Sequence, residues 1–95
     1  MAEHRTVHVL IEGRVQGVNF RGWACEQAEQ LGLSGWIRNR RDGAVEALFA
    51  GPSEDVAAML ERCRSGPRHA RVESIETIQE GGAAPTGGFA IVPSK

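Results

Sequence analysis

Long apolar runs, tyrosine and an excess of positive charge are all missing from this sequence of 95 residues. The bulky apolar run nearest the start covers only residues 9–11, too short for a membrane span or the core of a signal peptide. Eleven basic residues face twelve acidic ones, so the net charge of −1 leaves no surplus to neutralise nucleic-acid phosphates. We therefore expect a soluble, cytoplasmic protein that binds neither membranes nor nucleic acids.

Cysteine is also scarce. Cys25 and Cys63 form no C-x-x-C motif, and no histidine stands at the spacing of zinc ligands. This pattern predicts two free thiols and no metal site, although two cysteines on facing helices could approach one another.

The length and composition predict one domain that spans residues 1–95. Domains typically contain about 50–250 residues, and a hydrophobic content of 41% is enough for one core. We also expect a monomer.

Hydrophobic periodicity predicts the first four elements. Residues 6–12 alternate between apolar and polar side chains, as in a half-buried strand. Residues 20–31 carry one apolar helical stripe, and Gly32 follows as a stop. Residues 33–40 and 44–50 then read as two strands of a hairpin that turns at Asp42-Gly43.

The second half of the chain predicts a helix and two strands. Ser53 can cap a helix whose apolar stripe runs from Val56 to Cys63, and residues 72–78 form a strand with a bulge. A glycine-rich loop at residues 81–88 precedes a short last strand with Phe89 and Ile91. The order β-α-β-β-α-β plus a short terminal strand predicts an α+β fold: a ferredoxin-like two-layer sandwich, with two helices on one face of a mainly antiparallel sheet.

The connection between the first strand and the first helix, residues 13–21, is the first candidate site. Gly13 and Gly17 allow sharp turns whose backbone N–H groups can form an anion-binding concavity at a helix start. Arg21 can add a planar fork of donors to the same anion. The stretch is neither a Walker loop nor G-x-G-x-x-G. A plain glycine loop beside a solvated arginine stays open as the alternative.

Asn39 is the second candidate, because its amide can donate and accept hydrogen bonds and so orient a water molecule beside a phosphoryl group. A turn-stabilising asparagine is the alternative. The remaining residues that could carry chemistry are expected to be solvated or to serve packing. They are the solvated side chains His4, His8, His69, Arg40 and Arg41, and the packing side chains Trp23 and Trp36.

Two segments together resemble the acylphosphatase family. Residues 13–21 resemble its phosphate-binding stretch G-x-V-Q-G-V-x-F-R at every fixed position. Residues 35–51, which begin Gly-Trp-Ile-Arg-Asn, resemble its second signature. The spacing between the two also matches, and the similarity covers essentially the whole chain.

The resemblance implies hydrolysis of the carboxyl–phosphate bond of small acyl phosphates to a carboxylate and inorganic phosphate, without metal or cofactor. It makes Arg21 and Asn39 the catalytic residues. It also makes a loop of six residues the phosphate-binding site: Val15, Gln16, Gly17, Val18, Asn19 and Phe20. A carboxylate leaves without protonation, which agrees with the lack of an evident general acid in the sequence. The proton acceptor for water stays unidentified; the substrate phosphate is one hypothesis.

Three other functions can be weighed on the same residues. A non-catalytic phosphate- or anion-binding regulatory module of the same fold is the main alternative. An RNA-binding sheet would need exposed aromatic residues on its central strands, and the sequence has no tyrosine. A metal chaperone of this fold would need paired cysteines in the first loop, which has none.

Overall fold

Two helices pack on one face of a five-stranded sheet in the computed structural model, which describes residues 3–95. The elements follow the predicted order: β1 (His4–Arg14), α1 (Phe20–Gln30), β2 (Ser34–Asn39), β3 (Val45–Pro52), α2 (Ser53–Ser65), β4 (Arg71–Glu80) and β5 (Phe89–Ile91). Neither helix is long and apolar enough to cross a bilayer, and residues 3–95 contain no other helix.

The sheet has the strand order β4-β1-β3-β2-β5. β1 pairs antiparallel with β3 and β4, β2 pairs antiparallel with β3, and only the short β5 runs parallel, beside β2. The prediction of a mainly antiparallel sheet with a short terminal strand is therefore confirmed. Because β2 and β5 are parallel, the end of β5 lies beside the end of β2.

The core lies between the sheet and the helices, where the apolar alternation of the sequence predicts it. Val7, Val9 and Ile11 of β1 are fully buried on this face. The helices contribute the buried stripes Phe20, Ala24, Ala28, Val56, Met59 and Cys63. In strand β4 the pairing with β1 shifts between Glu12 and Gly13, which confirms the predicted bulge and lets both Val72 and Ile75 pack against the core.

The predicted cap of α2 is wrong. Ser53 is the first residue of α2, the preceding residue is Pro52, and no side chain caps the helix. Because β3 runs directly into α2, Ser53 instead donates its backbone N–H to the carbonyl of Glu3 at 2.6 Å. The acidic residues Glu54 and Asp55 supply the negative charge that suits a helix start.

The face of the sheet opposite the helices carries a polar cluster, and the expectation that His8 is solvated is wrong. The His8 ring nitrogen Nε2 lies 2.6 Å from the Glu46 carboxylate, which also accepts a hydrogen bond from Arg38 Nε at 2.9 Å. The ring of Trp36 packs against His8 and lies under the Arg38 guanidinium. Register explains the cluster, because these side chains alternate outward on β1, β2 and β3. His4 and His69 are exposed, as expected.

Candidate active site

A cavity of about 240 Å³ opens where the loop after β1, the start of α1 and the ends of β2 and β5 meet. Its volume lies below the roughly 300–1,000 Å³ of sites for drug-sized ligands, so it suits a smaller molecule. Nine residues line it: Val15, Gln16, Gly17, Asn19, Phe20, Arg21, Gly22, Asn39 and Ile91. All the residues that the sequence assigned to a site are here except Val18, which packs against the core.

The β1–α1 loop (residues 15–19) is wound so that its backbone N–H groups are free. Gly17 and Asn19 both adopt left-handed conformations, with φ of 76° and 60°. The first backbone hydrogen bond of α1 runs from Trp23 N to Asn19 O. Within residues 3–95, the backbone N–H groups of residues 16–22 have no acceptor. Free amides in a left-handed turn at a helix start can together bind an anion.

The loop is anchored to the core by the apolar side chains at its two ends. Val15 and Phe20 are buried in the core, with 1% and 2% of their surfaces exposed. The Phe20 ring packs edge-on against Trp23 with centroids 5.4 Å apart, so Trp23 serves packing, as expected. These anchors hold the backbone of the loop at the mouth of the cavity while their side chains face away from solvent.

Arg21 is the charged side chain of the cavity. It lies in the first turn of α1 and is half-buried. Other arginines such as Arg5 and Arg38 pair with carboxylates, but Arg21 has no carboxylate within 4.0 Å among residues 3–95. An unpaired guanidinium beside free amides makes the cavity attractive to an anion.

The Gln16 side chain joins the loop to the hairpin between β2 and β3. Its Nε2 donates hydrogen bonds to the carbonyls of Arg40 and Ala44, at 2.7 and 2.9 Å. The Nε2 donor is therefore already used by the protein, whereas the backbone N–H of Gln16 is left to donate to a ligand. This contact holds the loop at a set position relative to Asn39, the last residue of β2.

The side-chain amide of Asn39 is free. It makes no hydrogen bond to any other part of residues 3–95, although its backbone carbonyl accepts one from Lys95 N at 3.0 Å. The turn is stabilised instead by Asp42, whose carboxylate accepts a hydrogen bond from Ala44 N at 3.1 Å. That hydrogen bond also holds the pKa of Asp42 below its usual value. The Asn39 amide is thus available to bind a ligand or a water molecule in the cavity.

The sequence interpretation missed two lining residues, Gly22 and Ile91. A Cβ at Gly22 would lie 2.5 Å from Oδ1 of Asn19, so glycine here makes room for the asparagine side chain at the helix start. Ile91 ends β5 and is 48% exposed. The sequence placed Ile91 in a short terminal strand but could not link it to the site. No pattern in the neighbouring residues shows that this strand lies beside β2.

The other cavities lack this combination of free amides and an unpaired arginine. One of about 410 Å³ lies at the start of β1, but the carboxylates of Glu3 and Glu80 line it and disfavour an anion. Another of about 370 Å³ is lined near Gly32 and Phe89 without any basic side chain. Among residues 3–95, no group of three or more His, Cys, Asp and Glu residues is arranged to hold a metal ion.

Neither cysteine lines the cavity. Both are free thiols, on α1 and α2 respectively. Burial raises the pKa of Cys63 to about 12, which keeps this thiol protonated. Burial and the nearby carboxylates of Glu29 and Glu26 also raise the pKa of Cys25. The prediction of two free thiols is confirmed.

Comparison with known proteins shows which family this chain resembles. A family model for acylphosphatase matches residues 7–91. An acylphosphatase from Azorhizobium caulinodans is 59% identical over 83 residues, which cover 86% of this chain and 89% of that protein. Two solved acylphosphatase structures superpose closely. The one from Coxiella burnetii has a TM-score of 0.88 and 30% identity, covering 94% of this chain and 93% of the other. The one from Bacillus subtilis has a TM-score of 0.87 and 32% identity, covering 95% and 99%.

The fold and these structural neighbours define the class of the protein as a ferredoxin-like two-layer sandwich of the acylphosphatase type. Because the family model covers most of the chain and a curated relative exceeds half identity, the chain belongs to the acylphosphatase family. It is an enzyme of the acylphosphatase class.

Proposed function

We propose that this enzyme hydrolyses small acyl phosphates in the cavity between the β1–α1 loop and Asn39. The backbone N–H groups of residues 15–20 and the Arg21 guanidinium hold the phosphoryl oxygens. The Asn39 side-chain amide positions the attacking water. The proposal takes the enzyme to act as a monomer formed by the single domain of residues 1–95, without metal or cofactor.

The convergence of unpartnered donors on one cavity carries this proposal. The backbone amides of residues 16, 17 and 19–22 and the Arg21 guanidinium have no acceptor within residues 3–95, and these residues border the same cavity as Asn39. Phe20 is buried, and Gln16, Arg21 and Gly22 are half-buried. Polar groups that are shielded in this way normally have a protein or water partner. A phosphoryl group offers several oxygen acceptors at once and would satisfy them together.

The chemistry of an acyl phosphate fits a cavity that contains no general acid. Water attacks phosphorus, the bond from phosphorus to the acyl oxygen breaks, and the carboxylate leaves with that electron pair. The proton of water passes to a phosphoryl oxygen, which gives a carboxylate and inorganic phosphate. Since the leaving carboxylate needs no proton, catalysis requires positioning and stabilisation of negative charge. Arg21 and the amides supply the charge stabilisation, and Asn39 supplies the positioning.

Hydrolysis of benzoyl phosphate, followed by ultraviolet absorbance with excess chelator present, tests the proposal. We expect Arg21→Ala to lower kcat/KM by about 10³-fold or more, the scale of a phosphoryl-binding arginine, and to weaken inhibition by inorganic phosphate. Asn39→Ala should lower kcat by about 10²-fold or more while the inhibition constant of phosphate stays within about twofold. Arg68→Ala is the matched control, because Arg68 is exposed and lies outside the cavity.

Three results would contradict the proposal. Arg21→Ala that is still inhibited normally by phosphate would remove Arg21 from the anion site. Parallel loss of turnover and phosphate affinity in Asn39→Ala would show that Asn39 holds the anion and does not position water. A folded wild-type protein that binds phosphate but hydrolyses no acyl phosphate would be a non-catalytic anion-binding module.

A further inference from the structure

Ile91 is a large apolar side chain that the fold leaves half-exposed at the proposed active site. It is 48% exposed and lines the same cavity as Arg21 and Asn39. The other large apolar residues of this cavity, Val15 and Phe20, are buried in the core. Ile91 is therefore the part of the cavity wall that offers accessible apolar surface to a ligand.

Strand register places Ile91 in this position. In the parallel pair of β2 and β5, Ile91 lies opposite Ile37, which is fully buried on the helix-covered face of the sheet. Asn39 follows Ile37 by two residues, so it points to the same face. β5 is the edge strand of the sheet. Ile91 thus lies near the Asn39 end of β2, at an edge of the sheet.

The edge strand is held firmly enough to present a defined surface. Its flanking residues are tied to β2 by hydrogen bonds from Gly35 N to Gly88 O at 3.1 Å and from Val92 N to Ile37 O at 2.9 Å. Phe89 stacks on Phe49 of the core with ring centroids 5.5 Å apart. Ile91 is the exposed end of an otherwise anchored segment.

We propose that Ile91 contacts the acyl group of the substrate and favours acyl phosphates whose acyl group is apolar. This inference rests on the proposed function. With the phosphoryl oxygens held by the loop and Arg21, the acyl group must leave the cavity along another wall.

The edge of the sheet is the direction that offers an apolar contact. An apolar acyl group lying over Ile91 removes hydrocarbon surface from water on both partners. A charged acyl group would lose hydration against the same side chain without gaining a partner. Ile91 acts on specificity through the non-reacting part of the substrate and takes no part in the bond changes.

The test compares benzoyl phosphate with acetyl phosphate in wild type, Ile91→Ala and Ile91→Leu. We expect Ile91→Ala to lower kcat/KM for benzoyl phosphate about fivefold more than for acetyl phosphate, a value below the effect of a methylene in an enclosed pocket because this surface is open. The change should appear mainly in KM. Ile91→Leu should restore most of the preference, since it keeps the apolar surface.

Ile78→Ala is the matched control. Ile78 is 47% exposed and lies on β4, at the opposite edge of the sheet from β5. It should leave both substrates unaffected. Inhibition by inorganic phosphate, which lacks an acyl group, should change less in Ile91→Ala than the KM for benzoyl phosphate does.

The outcomes separate this inference from the function on which it rests. Equal losses for both substrates in Ile91→Ala, or no change at all, would overturn the acyl contact while the acylphosphatase activity stands. Failure of the wild-type protein to hydrolyse either substrate would overturn the proposed function, and the acyl contact with it.

Discussion

The Gln16 side chain connects two segments that meet at the cavity, the β1–α1 loop and the hairpin after β2. Its amide spans from the β1–α1 loop to the carbonyls of Arg40 and Ala44, on the hairpin that follows Asn39. The sequence resemblance placed Gln16 in the phosphate-binding loop. The structure shows that its side-chain Nε2 binds the hairpin, so the backbone N–H is the donor of Gln16 that has no acceptor within residues 3–95.

Replacing Gln16 should therefore reduce turnover by displacing the loop from the hairpin. We expect Gln16→Ala to cost about 1–2 kcal/mol of unfolding free energy, because two hydrogen bonds are lost while each carbonyl keeps a backbone partner. A misplacement of roughly 1 Å should lower kcat about tenfold or more. Denaturant unfolding and benzoyl phosphate kinetics measure the two effects.

Gln16→Met separates hydrogen bonding from packing. It keeps the length of the side chain but removes the donor, so it should behave like Gln16→Ala in kcat. A Gln16→Met enzyme with wild-type kcat would show that the side chain acts only by filling space.

At the scale of elements, Gly35 allows β2 to lie close to β3 and β5. Its φ is 139°, and a Cβ here would lie 1.8 Å from the backbone carbonyl oxygen of Leu48. Its N–H donates to Gly88 O, which begins the contact with β5. The position of β5, and with it that of Ile91, depends on the absence of a side chain at residue 35.

We expect Gly35→Ala to lower the unfolding free energy by more than about 3 kcal/mol. The positive φ would strain an alanine, and its Cβ would also clash with the carbonyl oxygen of Leu48, a backbone atom that cannot move alone. Gly81→Ala is the matched control. Gly81 also has a positive φ, of 90°, but a Cβ there meets nothing within 4 Å. It should cost only about 1 kcal/mol. Equal losses in denaturant unfolding of the two variants would refute the role of close strand approach.

At the scale of the whole molecule, the cluster on the open face of the sheet links acid stability to one buried carboxylate. Glu46 is 4% exposed. Burial opposes its ionisation, but hydrogen bonds from Arg38 and His8 outweigh burial and hold its pKa below the usual 4.5. The unfolded chain then binds more protons than the folded protein below about pH 4.5. This part of the stability is present above that pH and is lost as the pH falls through the folded pKa.

Glu46→Gln should remove this dependence. We expect the variant to be less stable than wild type by about 1–3 kcal/mol at neutral pH, and the difference to shrink as the pH falls toward 3. Urea unfolding at a series of pH values measures it. Glu76→Gln, at an exposed position on β4, is the control and should leave the difference between neutral and acidic pH unchanged. A Glu46→Gln difference that stays constant with pH would contradict the linkage.

Much of the fold could be predicted because its signals are local. The alternation of β1, the stripes of both helices and the Asp42-Gly43 turn each follow from neighbouring residues. The errors came from contacts at a distance. Ser53 was expected to cap α2, but β3 leads directly into the helix; His8 was expected in solvent, but Glu46 on β3 partners it.

Some residues of the candidate site could likewise be predicted from the sequence, and others could not. The residues of the β1–α1 loop, Arg21 and Asn39 stand in two recognisable segments, so the sequence could indicate them and the cavity brings all but Val18 together. Their catalytic roles stay a prediction. No local pattern indicated that the Gln16 side chain binds the hairpin or that Ile91 lines the cavity. Both depend on contacts between segments that are far apart in the sequence.

The amino-acid sequence by itself determined the elements, their order and the two segments that resemble the acylphosphatase family. Each of these features depends on residues that are close to one another in the chain. Only the tertiary structure decided that the Asn39 amide is free, that Gln16 ties the loop to the hairpin, that Glu46 is buried among cations, and that Ile91 borders the cavity. The physical reason is strand order and register. Strand order and register bring together residues that are tens of positions apart. They are set by the packing of the whole core and not by any short segment.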